Sequence, residues 1–456
     1  MEENEMELKH EALLESWKEL LEGKRLRDLK LQLSESNEVD VAEFMKELDP
    51  EKTILVFRML PKEVASDVFA NLEIEDQQTV ISAITDREVS ELLEDLYVDD
   101  AVDMLEEMPA NMVMRVLKNA RPDTRKVINQ FLNYPENSVG SIMTAEYIAL
   151  KKGMTVQQAI AFIRASGEDS ESIYTCYVTD AHRVLEGVVT LRELLMAGDD
   201  RLVEDLMSTD VITAWTTEDQ EEAVQRVMKY DFISLPVVDK EGRLVGIVTV
   251  DDVMDVMEEE ATEDIEKMAA ILPTDKPYFQ TGVVETWKHR IPWLLLLMVS
   301  ATFTGTILGV FEEALAANAA LTLFIPMLMD TGGNSGGQAS VTLIRAMSLG
   351  DVEFHDLLRV IWKELRVAVL CAATLGVVVY GKVIFIDRKG GMVALVVALS
   401  IFLTIVIAKL VGCTLPMLAK RMGFDPAVMA SPFITTVVDA LSLLIYFAVA
   451  TQLLGL

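Results

Sequence analysis

Asp439 is the only charged residue between Pro426 and Leu456. If that stretch crosses a membrane, an ionised carboxylate there costs at least ~2.5 kcal/mol, so it calls for a protein-lined or wet surrounding. A second acid, Asp330, stands just before Thr331-Gly332-Gly333-Asn334-Ser335-Gly336-Gly337-Gln338. Four glycines packed into that short run let backbones approach closely, while Asn334 and Gln338 bring side-chain oxygens that packing alone does not require. With Pro326, Pro416, Pro426 and Pro432 nearby, the pattern predicts broken, polar helices beside one buried acid. That chemistry suits a cation path lined by Asp330, Asn334 and Gln338. The plainer alternative is an Asp that only joins helices and glycines that only pack. A third feature is an acidic run: Asp251, Asp252, Asp255, Glu258, Glu259, Glu260, Glu263 and Asp264 crowd one predicted helix. Like charges one turn apart each cost a few tenths of a kcal/mol. Hard divalent cations with oxygen ligands would relieve them; a solvated charged face is the other reading.

The elements that must position these residues follow from charge and hydropathy. The chain has 456 residues, 73 acidic and 40 basic, a formal net charge of −33, and 51% hydrophobic residues. Residues 291–456 hold ten basic and ten acidic groups, so residues 1–290 carry the whole −33. So negative a surface disfavours nucleic acid and makes cations the expected partners. Ile291 to Phe311 is uncharged and long enough to cross a membrane. Four further spans are expected near 314–345, 361–386, 391–415 and 427–454. Lys288, Arg290, Arg345, Arg359, Lys363, Lys420 and Arg421 gather at one set of span ends, which places the acidic half in the cytoplasm and the C-terminus outside. The acidic start, Met1-Glu2-Glu3, predicts no secretory signal. Three cysteines and four histidines at wide spacings indicate neither a disulfide framework nor a zinc site.

Within the acidic half, Ser141-Ile142-Met143-Thr144 matches Asp205-Leu206-Met207-Ser208, and Gly187-Val188-Val189-Thr190 matches Gly246-Ile247-Val248-Thr249. Each copy reads as a Met-[Thr/Ser] leader, a capped helix, two β-rich runs and a closing helix. This duplication resembles a tandem CBS pair. The resemblance implies an adenine nucleotide such as ATP, or another small effector, as a ligand; a dimerisation module is the equal alternative. Asp252 follows Thr249 where such copies often carry an Asp, and Glu193 takes that place after Thr190. Between residues 40 and 137, cap signals recur at near-even intervals, at Pro61, Glu73, Thr85, Asp99, Pro109 and Pro122, which predicts a small helical solenoid. Residues 1–39 read as one amphipathic helix ending in a polar loop.

The fold expected is therefore multidomain: an all-α helical N-terminal array over 1–137, an α+β tandem CBS pair over 138–262, a connecting helix and linker over 263–290, and a five-helix transmembrane domain over 291–456. This order, with Gly332-Gly333-Asn334-Ser335-Gly336-Gly337-Gln338 and Thr435-Thr436-Val437-Val438-Asp439, resembles the MgtE magnesium channels over nearly the whole chain. Gly337 stands where that family often has a small polar residue. The resemblance implies a homodimer in the cell membrane with the pore between its two membrane halves and Asp439 from each subunit on a hydrated Mg²⁺. It further implies regulatory Mg²⁺ held by Asp219, Glu221, Asp231, Asp252, Asp255, Glu260, Glu263 and Asp264, with Asp99 and Asp103 as the N-terminal counterparts. High cytoplasmic Mg²⁺ would close the pore by bridging these acids.

Rival readings are a coupled secondary transporter of Mg²⁺ or another divalent cation, an anion channel, and an enzyme. An anion channel fits poorly because Lys409, the one basic residue well inside a span, is expected to snorkel to the cytoplasmic end. No catalytic motif or phosphate-binding Gly-rich loop followed by Lys supports an enzyme.

Overall fold

The computed structural model describes residues 2–167, 170–274, 278–279, 281–429 and 431–455. It divides into two compact units, Met1–Val256 and Met257–Leu456.

The first unit opens with α1 (Glu2–Glu22) and α2 (Leu26–Glu35), so the single amphipathic helix expected over 1–39 is in fact two. The break is a left-handed C-terminal cap. Lys24 has φ 54°, its N–H reaches Leu21 O at 3.1 Å, and the Arg25 N–H reaches Leu20 O at 2.9 Å. Eight short helices follow: α3 (Glu38–Lys46), α4 (Pro50–Phe57), α5 (Lys62–Ala70), α6 (Ile74–Ala83), α7 (Asp86–Asp95), α8 (Val98–Glu107), α9 (Ala110–Asn119) and α10 (Pro122–Phe131). Their N-caps, Asn37, Asp49, Pro61, Glu73, Thr85, Tyr97, Pro109 and Arg121, are evenly spaced along the chain. Asp99 thus lies inside the first turn of α8 and does not cap it. From α3 onward each helix packs on the next but one, so that helices too short to be stable alone share one core.

The repeat yields two three-stranded sheets. β1 (Tyr147–Leu150), α11 (Val156–Ser166), β2 (Ser172–Thr179), β3 (Leu185–Thr190) and α12 (Leu191–Met196) form the first copy. β4 (Ala214–Trp215), α13 (Gln220–Tyr230), β5 (Ser234–Val238) and β6 (Leu244–Thr249) form the second, closed by α14 (Val250–Met268). In each, the first strand is parallel to the middle one and the last is antiparallel to it. The leaders are exchanged: Thr144 pairs with Ile247 of the second copy through bonds of 2.8 and 2.9 Å, and Ser208 pairs with Val188 of the first at 2.9 and 2.8 Å. This explains the matched glycines. A Cβ on Gly246 would lie 2.6 Å from Thr144 O, and one on Gly187 would lie 2.8 Å from Ser208 O.

The second unit begins within α14, which ends in another left-handed cap at Ala270 (φ 57°). Of the linker expected to follow, residues 275–277 and 280 lie outside the described residues. Then come α15 (Val283–Val310), α16 (Glu312–Ala317), α17 (Ile325–Ser348), α18 (Leu357–Phe385), α19 (Gly391–Arg421) and α20 (Ser431–Leu454). Among the described residues four helices are long and apolar enough to cross a membrane: α15, α18, α19, and α20 with the turn before it. α17 is not among them, because its glycines, Asp330, Asn334 and Gln338 dilute its apolar content. The span expected over 314–345 is also divided. A 3₁₀ turn at Leu321–Phe324 separates α16 from α17, which starts with Pro326 in its first turn. A core of Leu321, Phe324, Leu328, Ile401, Ile405 and Phe447 joins this turn to α17, α19 and α20. The Tyr446 hydroxyl donates to Leu321 O at 2.9 Å and fixes the turn against α20.

Candidate functional site

α17 runs unbroken through its glycines, contrary to the broken helix expected there. The glycines are contact points for neighbouring helices. A Cβ on Gly332 would lie 2.8 Å from Ser442 Oγ of α20, and one on Gly412 of α19 would collide with the carbonyl oxygen of Gly336. With Gly332, Gly333, Ser335, Gly336, Ala339 and Ser340 buried, one face of α17 is committed to packing. The opposite face carries Asp330, Asn334, Gln338 and Thr342, all exposed in the single chain. Their i,i+4 spacing sets these side chains in one row along the helix. The structure therefore separates what the sequence had merged: small residues hold the helix, and polar residues form a stripe.

Asp439 sits on α20 within the same packing region, between Val438, which meets Gly332, and Ser442. It is half-buried, and its Oδ1 is buried with no hydrogen-bond partner among the described residues. Asp330 is the charge that acts on it, so a neighbour absent from its own helix is supplied by α17. Two carboxylates on neighbouring helices, neither in an ion pair among the described residues, invite a cation. Ser340, Ser400 and Thr404 on the helices nearby also have buried hydroxyls without partners among the described residues. Lys409 does not snorkel out as expected. It is only 5% exposed, because α19 is enclosed by neighbours at this level.

In the first unit, acids from three elements gather. Asp99 and Asp100 open α8, Asp252 opens α14, and Glu171 precedes β2. Burial first, then Asp100 and Asp252, pushes Asp99 up to about 9. Burial and then Asp252 push Asp100 up to about 6. Glu171 is raised to about 7 by burial and by Asp251 and Asp252. Asp252 is raised to about 6 by burial, against hydrogen bonds from Thr249, whose N–H and hydroxyl donate to its carboxylate at 3.0 and 2.6 Å. Glu193 makes the same pair of bonds to Thr190, so both residues are helix-capping acids whatever else they hold. Asp103 lies one turn after Asp99 and is exposed.

Each raised acid holds its proton more tightly folded than unfolded. The stability it contributes is complete below the ordinary carboxylate range and is lost as pH rises through its folded value. Without divalent ions, protease resistance of residues 1–256 is expected to fall from about pH 4, the ordinary carboxylate range, to about pH 9, with Asp100 and Asp252 spent by about 6, Glu171 by about 7 and Asp99 by about 9. A flat profile under limited proteolysis would contradict the repulsion.

The remaining acids are not brought to that cluster's centre. Asp219 caps α13 by accepting the Glu221 N–H at 2.9 Å, and Asp231 closes the same helix at φ 54°. The full length of α13, at ~1.5 Å per residue, keeps Asp219 and Glu221 well away from Asp231 within one chain. Asp255 is exposed on α14 and adds to the charge on Asp252. In the second unit, Asp264 is raised to about 6 by burial and by Asp425, with Glu260 and Glu263 adding to it. The Lys267 ammonium lies 2.5 Å from Glu263 and 2.7 Å from Asp425. Among the described residues, no three His, Cys, Asp or Glu side chains are arranged to hold a metal ion. Sequence reasoning missed Asp100, Glu171 and Asp425. Asp100 adjoins a residue already chosen, but nothing local marks the other two.

Fold and site together define a helical membrane protein that carries a solenoid and a CBS pair outside its apolar helices. The MgtE divalent cation transporter model matches residues 325–449, the MgtE intracellular N domain matches 36–137, and CBS domains match 139–200 and 203–259. The magnesium transporter MgtE of Thermus thermophilus is 39% identical over 448 residues, covering 97% of this chain and 99% of that one. The MgtE of Bacillus subtilis is 33% identical over 433 residues, covering 95% of each. The chain belongs to the MgtE family. The solved cytosolic domain of an Mg²⁺ channel MgtE in complex with ATP covers 53% of this chain and 99% of its own, with a TM-score of 0.51 and 38% identity.

Proposed function

We propose that this protein is a homodimeric, Mg²⁺-selective channel of the cell membrane, gated from the cytoplasm by the ion it conducts. The observation that carries the reading is the Asp439 carboxylate, half-buried with a partnerless oxygen, beside the exposed Asp330, Asn334 and Gln338 stripe. Hydrocarbon would not tolerate that stripe, so it faces water and the same stripe of a second copy. α17 is then a fifth span, able to cross because its polar side is turned to the path. Five spans put the two ends on opposite sides, and the basic residues gathered at one set of span ends assign the acidic half to the cytoplasm and the C-terminus to the outside. Mg²⁺ sheds its water reluctantly, and oxygen side chains contacting a hydrated ion suit it.

For gating, the sensor acids are Asp99, Asp103, Asp219, Glu221, Asp231, Asp252, Asp255, Glu260, Glu263 and Asp264, joined by Asp100, Glu171 and Asp425. Bound Mg²⁺ relieves their repulsion and favours the closed arrangement, which it can do only by binding that arrangement more tightly. The relative solved with ATP supports assigning an adenine nucleotide to the CBS pair. Proteoliposomes test the whole reading. Mg²⁺ influx is expected to follow an imposed membrane potential and to fall when Mg²⁺ is raised on the acidic-domain side. Flux that requires a second ion gradient would favour the coupled transporter.

A further inference from the structure

The C-terminal turns of α17 and the N-terminal turns of α18 enclose a cavity of about 220 Å³, far larger than a single water needs. Leu343 and Val360 form an apolar part of its wall. The rim carries Asp351, Asp356 and Glu364 together with Arg359 and Lys363. Of these opposite charges only Arg359 and Asp356 form an ion pair among the described residues. Among the described residues Asp351, Lys363 and Glu364 make no ion pair, and Arg359 stands 3.8 Å from Asp356 with its side chain 88% exposed. Charges of both signs held apart around an apolar-walled space match a ligand that carries both signs itself. The level matters as well. Trp362, exposed and under the Arg366 guanidinium, marks the depth of lipid headgroups.

We propose that this cavity binds the headgroup of an ethanolamine phospholipid, an inference that rests on the membrane reading above. Arg359 and Lys363 take the phosphate, and the primary ammonium donates to Glu364 and Asp351. A choline headgroup has no N–H to donate and an anionic glycerol headgroup has no ammonium. Choline offers the carboxylates charge without a hydrogen bond and the glycerol headgroup offers no cation, which is the source of selectivity.

The test uses the purified full-length protein and native mass spectrometry with phosphatidylethanolamine, phosphatidylcholine or phosphatidylglycerol in mixed micelles. Ethanolamine lipid is expected to be retained about tenfold more than choline lipid, the factor that one charge-assisted hydrogen bond supplies. Lys363→Gln with Glu364→Gln should abolish the preference, and Asp351→Asn alone should reduce it, each read on protein that still elutes as the parent does. Equal retention of the three lipids, a preference for the anionic one, or a preference unmoved by both variants would overturn the proposal. Parallel flotation with liposomes separates this failure from that of the membrane reading: protein that floats without ethanolamine selectivity refutes only the headgroup site.

Discussion

Replacing Asp439 by alanine is expected to reduce Mg²⁺ flux in proteoliposomes to the level of protein-free vesicles while leaving the protein folded. Its carboxylate is half-buried with one oxygen unpartnered among the described residues, so its removal breaks no hydrogen bond to them at that atom. On the channel reading proposed above, what is lost is an interaction with the passing ion. A hydrogen bond to a charged group contributes ~1.5–3 kcal/mol, and a dimer loses two, so flux should drop by about two orders of magnitude or more. Asp439→Asn keeps one oxygen and should retain an intermediate rate. Parent-level Mg²⁺ flux through the alanine variant would refute the assignment.

The second large effect concerns folding. Gly412→Ala drives a Cβ into the Gly336 carbonyl, whose carbon would lie only 3.0 Å away, and no rotamer change can move a backbone group aside. Helices α17 and α19 must separate to admit it. Overpacking of this kind costs ~1–3 kcal/mol, a sizeable part of the ~5–15 kcal/mol that holds a typical protein folded. Thermal unfolding in detergent should show a midpoint lowered by several degrees. Gly376→Ala is the matched control, since its nearest new contact, Ala398 O, is at an ordinary 3.6 Å. If the two variants melt alike, the close crossing is not what holds α17 in place.

The two outcomes separate the roles of neighbouring residues in one sequence motif. Gly336 and its neighbours position the helix, and Asn334 and Gln338 on the other face are exposed. A sequence reader sees glycine and amide residues interleaved and cannot tell a break in the helix from a tight crossing. Both readings follow from the same composition. Only the partner surface decides, and that surface comes from α19 and α20, far along the chain from the motif itself.

What the sequence determined was whatever is encoded within one element. The regular recurrence of caps marked the solenoid because capping and helix start are set by a few adjacent residues. Two positions differ: Tyr97 caps in place of Asp99 because an aromatic residue is not a usual cap signal, and Pro122 is the first helical residue after the cap Arg121. Apolar length marked α15, α18, α19 and α20, and isolation in such a run marked Asp439. The leader exchange of the CBS pair was not legible, since both ways of pairing two copies bury the same residue types. Nor were Glu171 and Asp425, ordinary surface acids until a distant element is packed against them. Tertiary structure alone brought Asp330 to Asp439 and Asp252 to Asp99. Propensity, capping and hydropathy act over a turn or two of chain, whereas the charge an acid feels depends on which carboxylates are folded next to it.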